Sequence, residues 1–224
     1  MGGKDSSEKI KKRYDRIAPV YDLLEGIIEK IAFSRWRRKF WREIEKEAES
    51  GVRILEAGVG TGKNMPYYPS GAEITAIDFS PRMIDRAEKR KRKLESARDI
   101  DIELIDLRVM DIENLEFEGG SFDYIVTTCV FCSVPDPIRG LEELKRVLKP
   151  GGRIFMLEHM LSRKIFLKNL MDIFNFIPRY LWGANINRRT GENIRKAGLN
   201  VLEEEHIWLD IFRKFILTAE EVKQ

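Results

Sequence analysis

At 224 residues, with hydrophobic residues at 43% and charged residues at 34%, the chain has the composition of a globular protein and the length for one α/β domain with additions and a full core. A net charge of only +3 implies no global field for a polyanion, so nucleic acid is not an expected partner, and no apolar run reaches the ~20 residues of a membrane span. Two cysteines argue against a disulfide scaffold and suit a reducing cytoplasm, and the polar start, Met1 to Lys12, lacks a signal-peptide core.

After a frayed start, Arg13 to Asp22 carries two Tyr-Asp pairs, Tyr14-Asp15 and Tyr21-Asp22, around Pro19. This stretch reads either as a helix packing two tyrosines on the core or as a lid that closes over a site and excludes water. Leu23 to Glu49 has apolar residues at helical spacing, with a break near Ser34. In its middle, Phe33 to Arg42 interleaves aromatic and basic residues. Trp36, Phe40 and Trp41 could meet an anionic lipid surface, but facing them to the core and the basic residues to water is the simpler arrangement.

Strands and helices then alternate, the pattern of a parallel sheet. Arg53 to Ala57 is an apolar strand ending at Gly58, Gly60 and Gly62. Only glycine turns a backbone this sharply and leaves no Cβ between it and a ligand. Neither phosphate-binding pattern fits. Lys63 stands where the dinucleotide fingerprint needs its third glycine, and Asn64 follows Gly62-Lys63 where a Walker loop needs Ser or Thr. Glu73 to Asp78 is the second strand, followed by Ser80-Pro81, serine to cap and proline to open a helix. The third strand lies within Ile102 to Met110, the fourth is Phe122 to Thr128, and Pro137 to Leu148 is a helix ended by Lys149-Pro150-Gly151-Gly152. The fifth strand is Arg153 to His159. Ser162 to Trp182 interrupts the alternation with crowded apolar and aromatic residues, broken at Pro178. As an insertion it would cover the open end of the sheet or dip into a lipid interface. A helix near Thr190 to Ala197 and strands near Val201 to Ile207 and Phe212 to Thr218 finish the fold. Residues 1–50 are thus read as a helical lid and membrane- or substrate-facing segment, and 51–224 as the main domain carrying the aromatic-rich 162–182 insertion.

Ligands of an open parallel sheet bind at the carboxyl ends of its strands. Asp78 lies there, 22 residues after Glu56, where a carboxylate can accept from both ribose hydroxyls. Asp111 can accept from an adenine amine, and Thr128 and Glu158-His159 end the fourth and fifth strands. His159 faces the proposed pocket, as a proton acceptor, as a group positioning a substrate, or simply bonded into the rim. Cys129 and Cys132 form a Cys-x-x-Cys, but a zinc site would lack further ligands and no redox setting surrounds them, so no metal is expected.

Glu56-Ala57-Gly58-Val59-Gly60-Thr61-Gly62, Ile77-Asp78-Phe79-Ser80-Pro81-Arg82-Met83, Asp111 and Arg146-Val147-Leu148-Lys149-Pro150-Gly151-Gly152 together resemble the motifs of class I S-adenosylmethionine-dependent methyltransferases. The resemblance covers Arg53 to His159. It implies a Rossmann-like α/β fold, a seven-stranded sheet of order 3-2-1-4-5-7-6 with the last strand antiparallel and helices on both faces. It implies S-adenosylmethionine as cofactor. Glu56 and Gly62 belong to its first motif, Gly58 and Gly60 face the methionine part, Asp78 the ribose, Phe79 and Met83 the adenine ring beside Ser80, Asp111 and Ile112 the adenine edge, and Thr128 the amino-acid end. Arg13 to Asp22 resembles the lid of bacterial phospholipid N-methyltransferases and the opening of ubiquinone/menaquinone C-methyltransferases. Cys132-Ser133-Val134 with Leu157-Glu158-His159 resembles membrane-associated thiol methyltransferases. All three handle lipophilic substrates. The resemblance implies a cytoplasmic enzyme, peripheral at the inner membrane, with phosphatidylethanolamine the first-choice acceptor and Tyr14, Tyr21 and His159 the groups nearest the chemistry. A cofactor-binding protein without transfer activity, or an NAD enzyme, is the alternative of another class.

Overall fold

Ile54, Leu55, Glu56 and Ala57 are all buried, the signature of a central strand covered on both faces. A computed structural model describes residues 33–97, 104–176 and 185–220, with Glu8, Ile10, Lys12, Arg13 and Asp15. Strands β1 (Arg53–Ala57), β2 (Glu73–Asp78), β3 (Ile105–Val109), β4 (Phe122–Thr128), β5 (Leu148–His159), β6 (Asn200–Trp208) and β7 (Phe212–Thr218) form one sheet of order β3-β2-β1-β4-β5-β7-β6. β1 to β5 run parallel, while β7 pairs antiparallel with both β5 and β6. This is the Rossmann-like order implied by the sequence motifs.

The pleat divides the core in two, because successive side chains of a strand point to opposite faces. Leu55, Ala57, Ile125, Ile154, Met156, Phe215 and Leu217 share one face with helices α3 (Pro137–Val147) and α5 (Thr190–Lys196). Ile54, Ile74, Ala76, Val126, Phe155, Leu157 and Ile216 share the other with α1 (Ser34–Glu47) and α2 (Pro81–Ala97). Ser80 caps α2 as read from sequence, its Oγ accepting from Met83 N at 3.2 Å.

One expectation changes. The Lys149-Pro150-Gly151-Gly152 turn lies inside β5. The chain joins the sheet at Leu148 opposite Phe122, loops out, and rejoins at Arg153 opposite Tyr124. Lys149 anchors the excursion with its ammonium on both oxygens of Asp123 at 2.8 Å. More important for function, Phe40 and Trp41 do not face a membrane. Both are fully buried under the sheet, with Trp41 against the Tyr68 ring at 4.9 Å. Arg37, Phe40, Trp41 and Ile44 form the buried stripe of α1, so the simpler arrangement holds there. Trp36 is half-buried among aromatics. The upstream part of that expected helix, Leu23 to Ala32, lies outside the described residues.

The interleaved charge is organised. Lys214, buried on β7, reaches Glu43 of α1 and Glu203 of β6 at 2.7 Å and Glu205 at 3.0 Å, and Lys39 of α1 reaches Glu205 at 2.7 Å. These partners raise the Lys214 pKa against the burial that opposes them. Thus α1 is fixed to the antiparallel edge by charge and to the sheet by its apolar stripe.

Candidate active site

The loop after β1 is held open by the carboxylate at the end of β2. Asp78 Oδ2 accepts from Gly60 N at 3.0 Å and Oδ1 from Ser80 N at 2.9 Å. Each oxygen keeps a second lone pair for another donor. Burial dominates its titration, over these two bonds, and pushes its pKa up to about 6. The three glycines differ in role. Gly60, at φ +54°, has nothing within 4 Å of where a Cβ would stand, so its backbone borders open space. Gly58, at φ +83°, would drive a Cβ to 2.4 Å from Val130 Cγ2, and so admits the β4 loop. Gly62 packs on Met65 and on the backbone of α2 at Ala87.

Glu56 sits behind this loop, fully buried on the α1 face. Asn64 Nδ2 donates to its Oε1 at 2.5 Å, and the Tyr68 hydroxyl to its Oε2. Asn64 also donates to Thr128 Oγ1 at 3.2 Å and accepts from buried Arg37 Nη1 at 2.9 Å. Desolvation raises the Glu56 pKa although Tyr68, Asn64 and Arg37 act to lower it. Glu56 and Thr128 are therefore joined through one amide that also reaches α1. Of the residues expected at the adenine, Asp111 Oδ1 accepts from Glu113 N at 3.0 Å, while Ile112 and Met83 are buried and Phe79 is half-buried.

Glu158, in sequence only the neighbour of His159, organises the opposite wall. Fully buried, it accepts from Thr127 Oγ1 at 2.8 Å and from Val130 N and Phe131 N at 3.2 Å. The loop it grips starts at Cys129, a non-glycine residue at φ +56°. A charged residue directly after the apolar run Phe155-Met156-Leu157 is the available signal, since such a group, once buried, must find partners. Burial pushes its pKa up to about 7, over the three bonds that lower it. Asn64, Tyr68 and Arg37 carried no such signal.

The raised pKa values set a pH dependence. A carboxylate with a folded pKa above its unfolded one contributes stability that is full below the unfolded pKa and lost as pH rises through the folded one. For Asp78 and Glu158 the window runs from about pH 4 to pH 8, with about 3 kcal/mol at most from each. Without cofactor, Glu158→Gln is expected to lose Glu158's share, narrowing the difference in unfolding free energy between pH 5 and pH 8. Urea titrations of both proteins at the two pH values measure this; an unchanged difference would show that Glu158 does not titrate in that range.

His159, at the end of β5, stacks edge-on against Phe212 at 4.9 Å, and Phe212 contacts Phe33 at 5.1 Å and Trp36 at 5.4 Å. Its Nδ1 is buried without a hydrogen-bond partner among the described residues, and burial lowers its pKa to about 4. The ring is neutral at pH 7, a hydrogen-bonding group in an aromatic wall and a poor resident base. Tyr14 and Tyr21 lie outside the described residues. Asp15 between them reaches the site: its Oδ1 accepts from Ser80 Oγ at 2.6 Å and its carbonyl from Arg82 Nη1 at 3.0 Å. The Cys132 thiol is pushed up to about 12 by burial and stays protonated.

The donor set fits an adenosine-bearing cofactor: a carboxylate with free lone pairs beside an open glycine backbone, and a second carboxylate one strand away. Residues 55–156 match the methyltransferase domain model. The ubiquinone/menaquinone biosynthesis C-methyltransferase UbiE of Geotalea daltonii is 34% identical over 76% of this chain and 71% of its own length. The thiol S-methyltransferase TMT1B of Rattus norvegicus is 30% identical over 75% of this chain and 69% of its own. The phosphatidylethanolamine N-methyltransferase of Cereibacter sphaeroides is 36% identical over 51% of this chain and 54% of its own.

Proposed function

Since this chain belongs to the class I S-adenosylmethionine-dependent methyltransferases, its donor is settled, and we propose that its acceptor is lipophilic, first of all the amine of phosphatidylethanolamine or its methylated derivatives. The observation that carries this reading is the aromatic wall of Phe33, Trp36 and Phe212 around His159, at the strand ends that also hold the cofactor loop. Aromatic faces attract ammonium groups and shed water, which suits an amine that gains methyl groups. The similarity to a phosphatidylethanolamine N-methyltransferase supports the same choice.

The bound donor supplies an electrophilic sulfonium methyl. The chain has to hold it, align the acceptor and keep water out. Asp78 holds the sugar, Asp111 the adenine edge, and the Gly60 backbone and Thr128 the amino-acid end. Arrival of the acceptor would supply the hydrogen-bond partner that His159 Nδ1 lacks among the described residues. Tyr14 and Tyr21 would close the pocket, a role supported by the grip of Asp15 on the start of α2.

A second reading, methylation of a quinone-precursor ring, is favoured by the same wall, because edge-on aromatics also seat a neutral ring. It draws further support from the match to a quinone-biosynthesis C-methyltransferase over most of both chains. Labelled S-adenosylmethionine, incubated with the enzyme and separated phosphatidylethanolamine, quinone precursors and small thiols, decides between them. Label in the phospholipid is the expected result. Label only in the ring or the thiol would displace the first choice, and label in none would favour a binding protein. His159→Phe should raise KM for the acceptor about tenfold and leave cofactor affinity unchanged.

A further inference from the structure

Beyond the cofactor and acceptor pockets, the described surface carries one concentrated apolar face, contributed by two separate parts of the chain. Helix α4 (Ile165–Phe174) buries only Met171 and exposes Ile165 and Phe166 by 77% and 78%, with Leu170, Ile173 and Phe174 exposed beyond them. The end of β6 and the turn into β7 expose Trp208 by 51% and Leu209 by 48%. Leu209 sits at φ +51°, a conformation that favours glycine or asparagine and is an outlier for a bulky side chain. A leucine kept there and pointed at water is strain and exposure without return inside the fold.

Asp210 clamps the two parts together. Its carboxylate accepts from Ser162 Oγ at 2.6 Å and from Arg163 N at 2.5 Å, and Met160 N donates to Ile211 O at 2.9 Å. The tip of the turn and the start of α4 are thereby fixed as one rigid face, directly after His159 and directly before Phe212. It rims the aromatic wall of the acceptor pocket.

The charge on this face leans positive. From Ser162 to Phe176, Arg163 is paired with Glu204 at 3.0 Å, which leaves Lys164 and Lys168 against a single acid, Asp172, which accepts from Asn187 Nδ2 at 2.9 Å. The glutamates of β6 do not offset it. Glu203 and Glu205 are paired with Lys214, and Glu204 with Arg213 and Arg163. Apolar side chains that include a tryptophan, edged by lysines, are the composition of an element lying in a lipid interface.

We propose that Trp208, Leu209, Ile165 and Phe166 insert into an anionic lipid surface, with Lys164 and Lys168 at the headgroups, so that the mouth beside His159 opens toward the bilayer. This builds on the lipophilic-acceptor reading, and the two fail separately. Vesicle binding without labelled lipid would leave the face standing and remove the acceptor reading. Labelled phospholipid in detergent without vesicle binding would do the reverse.

The test is sedimentation of the full chain with vesicles of phosphatidylglycerol and phosphatidylcholine, against phosphatidylcholine alone. Binding to the anionic vesicles is expected. Trp208→Ser combined with Leu209→Asn, which keeps a residue tolerant of positive φ, should weaken it about tenfold or more, as should Ile165→Ser with Phe166→Ser. Lys164→Glu with Lys168→Glu should weaken it at low salt and matter little near about 0.5 M salt, where surface charge is screened. Unchanged S-adenosylmethionine affinity in each variant shows that the fold survives. Absence of vesicle binding at low salt, or variants that bind like wild type, would overturn the proposal. So would a concentration-dependent dimer abolished by the Trp208 and Leu209 substitutions, which would give the face to a second copy of the chain.

Discussion

If Asp78 holds the ribose as proposed, Asp78→Ala is expected to weaken S-adenosylmethionine binding by roughly a hundredfold or more, because it would remove the acceptor of two hydroxyl hydrogen bonds, each charge-assisted and worth about 1.5–3 kcal/mol. It also orphans Gly60 N and Ser80 N, which hold the loop open through the same carboxylate. Asp78→Asn separates these effects: its amide oxygen can serve one of the two backbone donors, while its NH2 must face the other. The pH dependence gives a second handle. Ribose hydroxyls donate, so they favour the ionised carboxylate. With the free group titrating at about 6, affinity should fall below that pH, approaching tenfold per unit, and stay flat above it. In Asp78→Asn the slope should vanish. Calorimetry with S-adenosylmethionine between pH 5 and 8 checks both; wild-type affinity that is flat across that range would mean that Asp78 does not titrate with binding.

This carboxylate was legible in the sequence because its position is a matter of chain topology. A strand end 22 residues after Glu56 must come to the same sheet edge as the glycine loop if the two strands are parallel neighbours. The same logic gave β1, β2, β4 and β7 their boundaries, since apolar runs bounded by turn residues have few other fates. What stayed hidden depends on which face of a helix meets which strand. The aromatic-basic stretch of α1 favours a core stripe but leaves a membrane face open until Trp41 is seen on Tyr68 and Arg37 on Asn64. Glu158 stands beside His159 at a strand end, where the histidine is the more familiar chemical group. Yet the carboxylate is the one whose burial demands three donors. The proposed lipid face is half visible in the sequence, as the crowded apolar stretch after His159. Its other half, Trp208-Leu209, is brought beside it by Asp210, 48 residues beyond Ser162.

Gly58→Ala should cost the fold about 2–4 kcal/mol, combining strain at positive φ with overpacking. The clash has no easy release. A Cβ there meets Val130 Cγ2 at 2.4 Å, Cγ1 at 3.0 Å and Cβ at 3.3 Å, so the whole branched side chain is in the way. Val130 cannot retreat, because its N–H and that of Phe131 are held by buried Glu158. The first glycine of the motif therefore serves the approach of two loops, and its loss should reach the cofactor only through the displaced wall. Adding Val130→Ala should recover the steric share and leave the strain of the alanine backbone, a coupling of about 1 kcal/mol or more. Gly60→Ala inverts the pattern. Its Cβ meets nothing within 4 Å, so the protein should lose only about 1 kcal/mol of stability, while cofactor affinity drops because the methyl occupies the open space the cofactor needs. Chemical denaturation and calorimetry on the three variants test the division. If Gly58→Ala with Val130→Ala proves no more stable than Gly58→Ala alone, contact with Val130 is not what fixes glycine at that position, and the rigid wall built on Glu158 loses its main consequence.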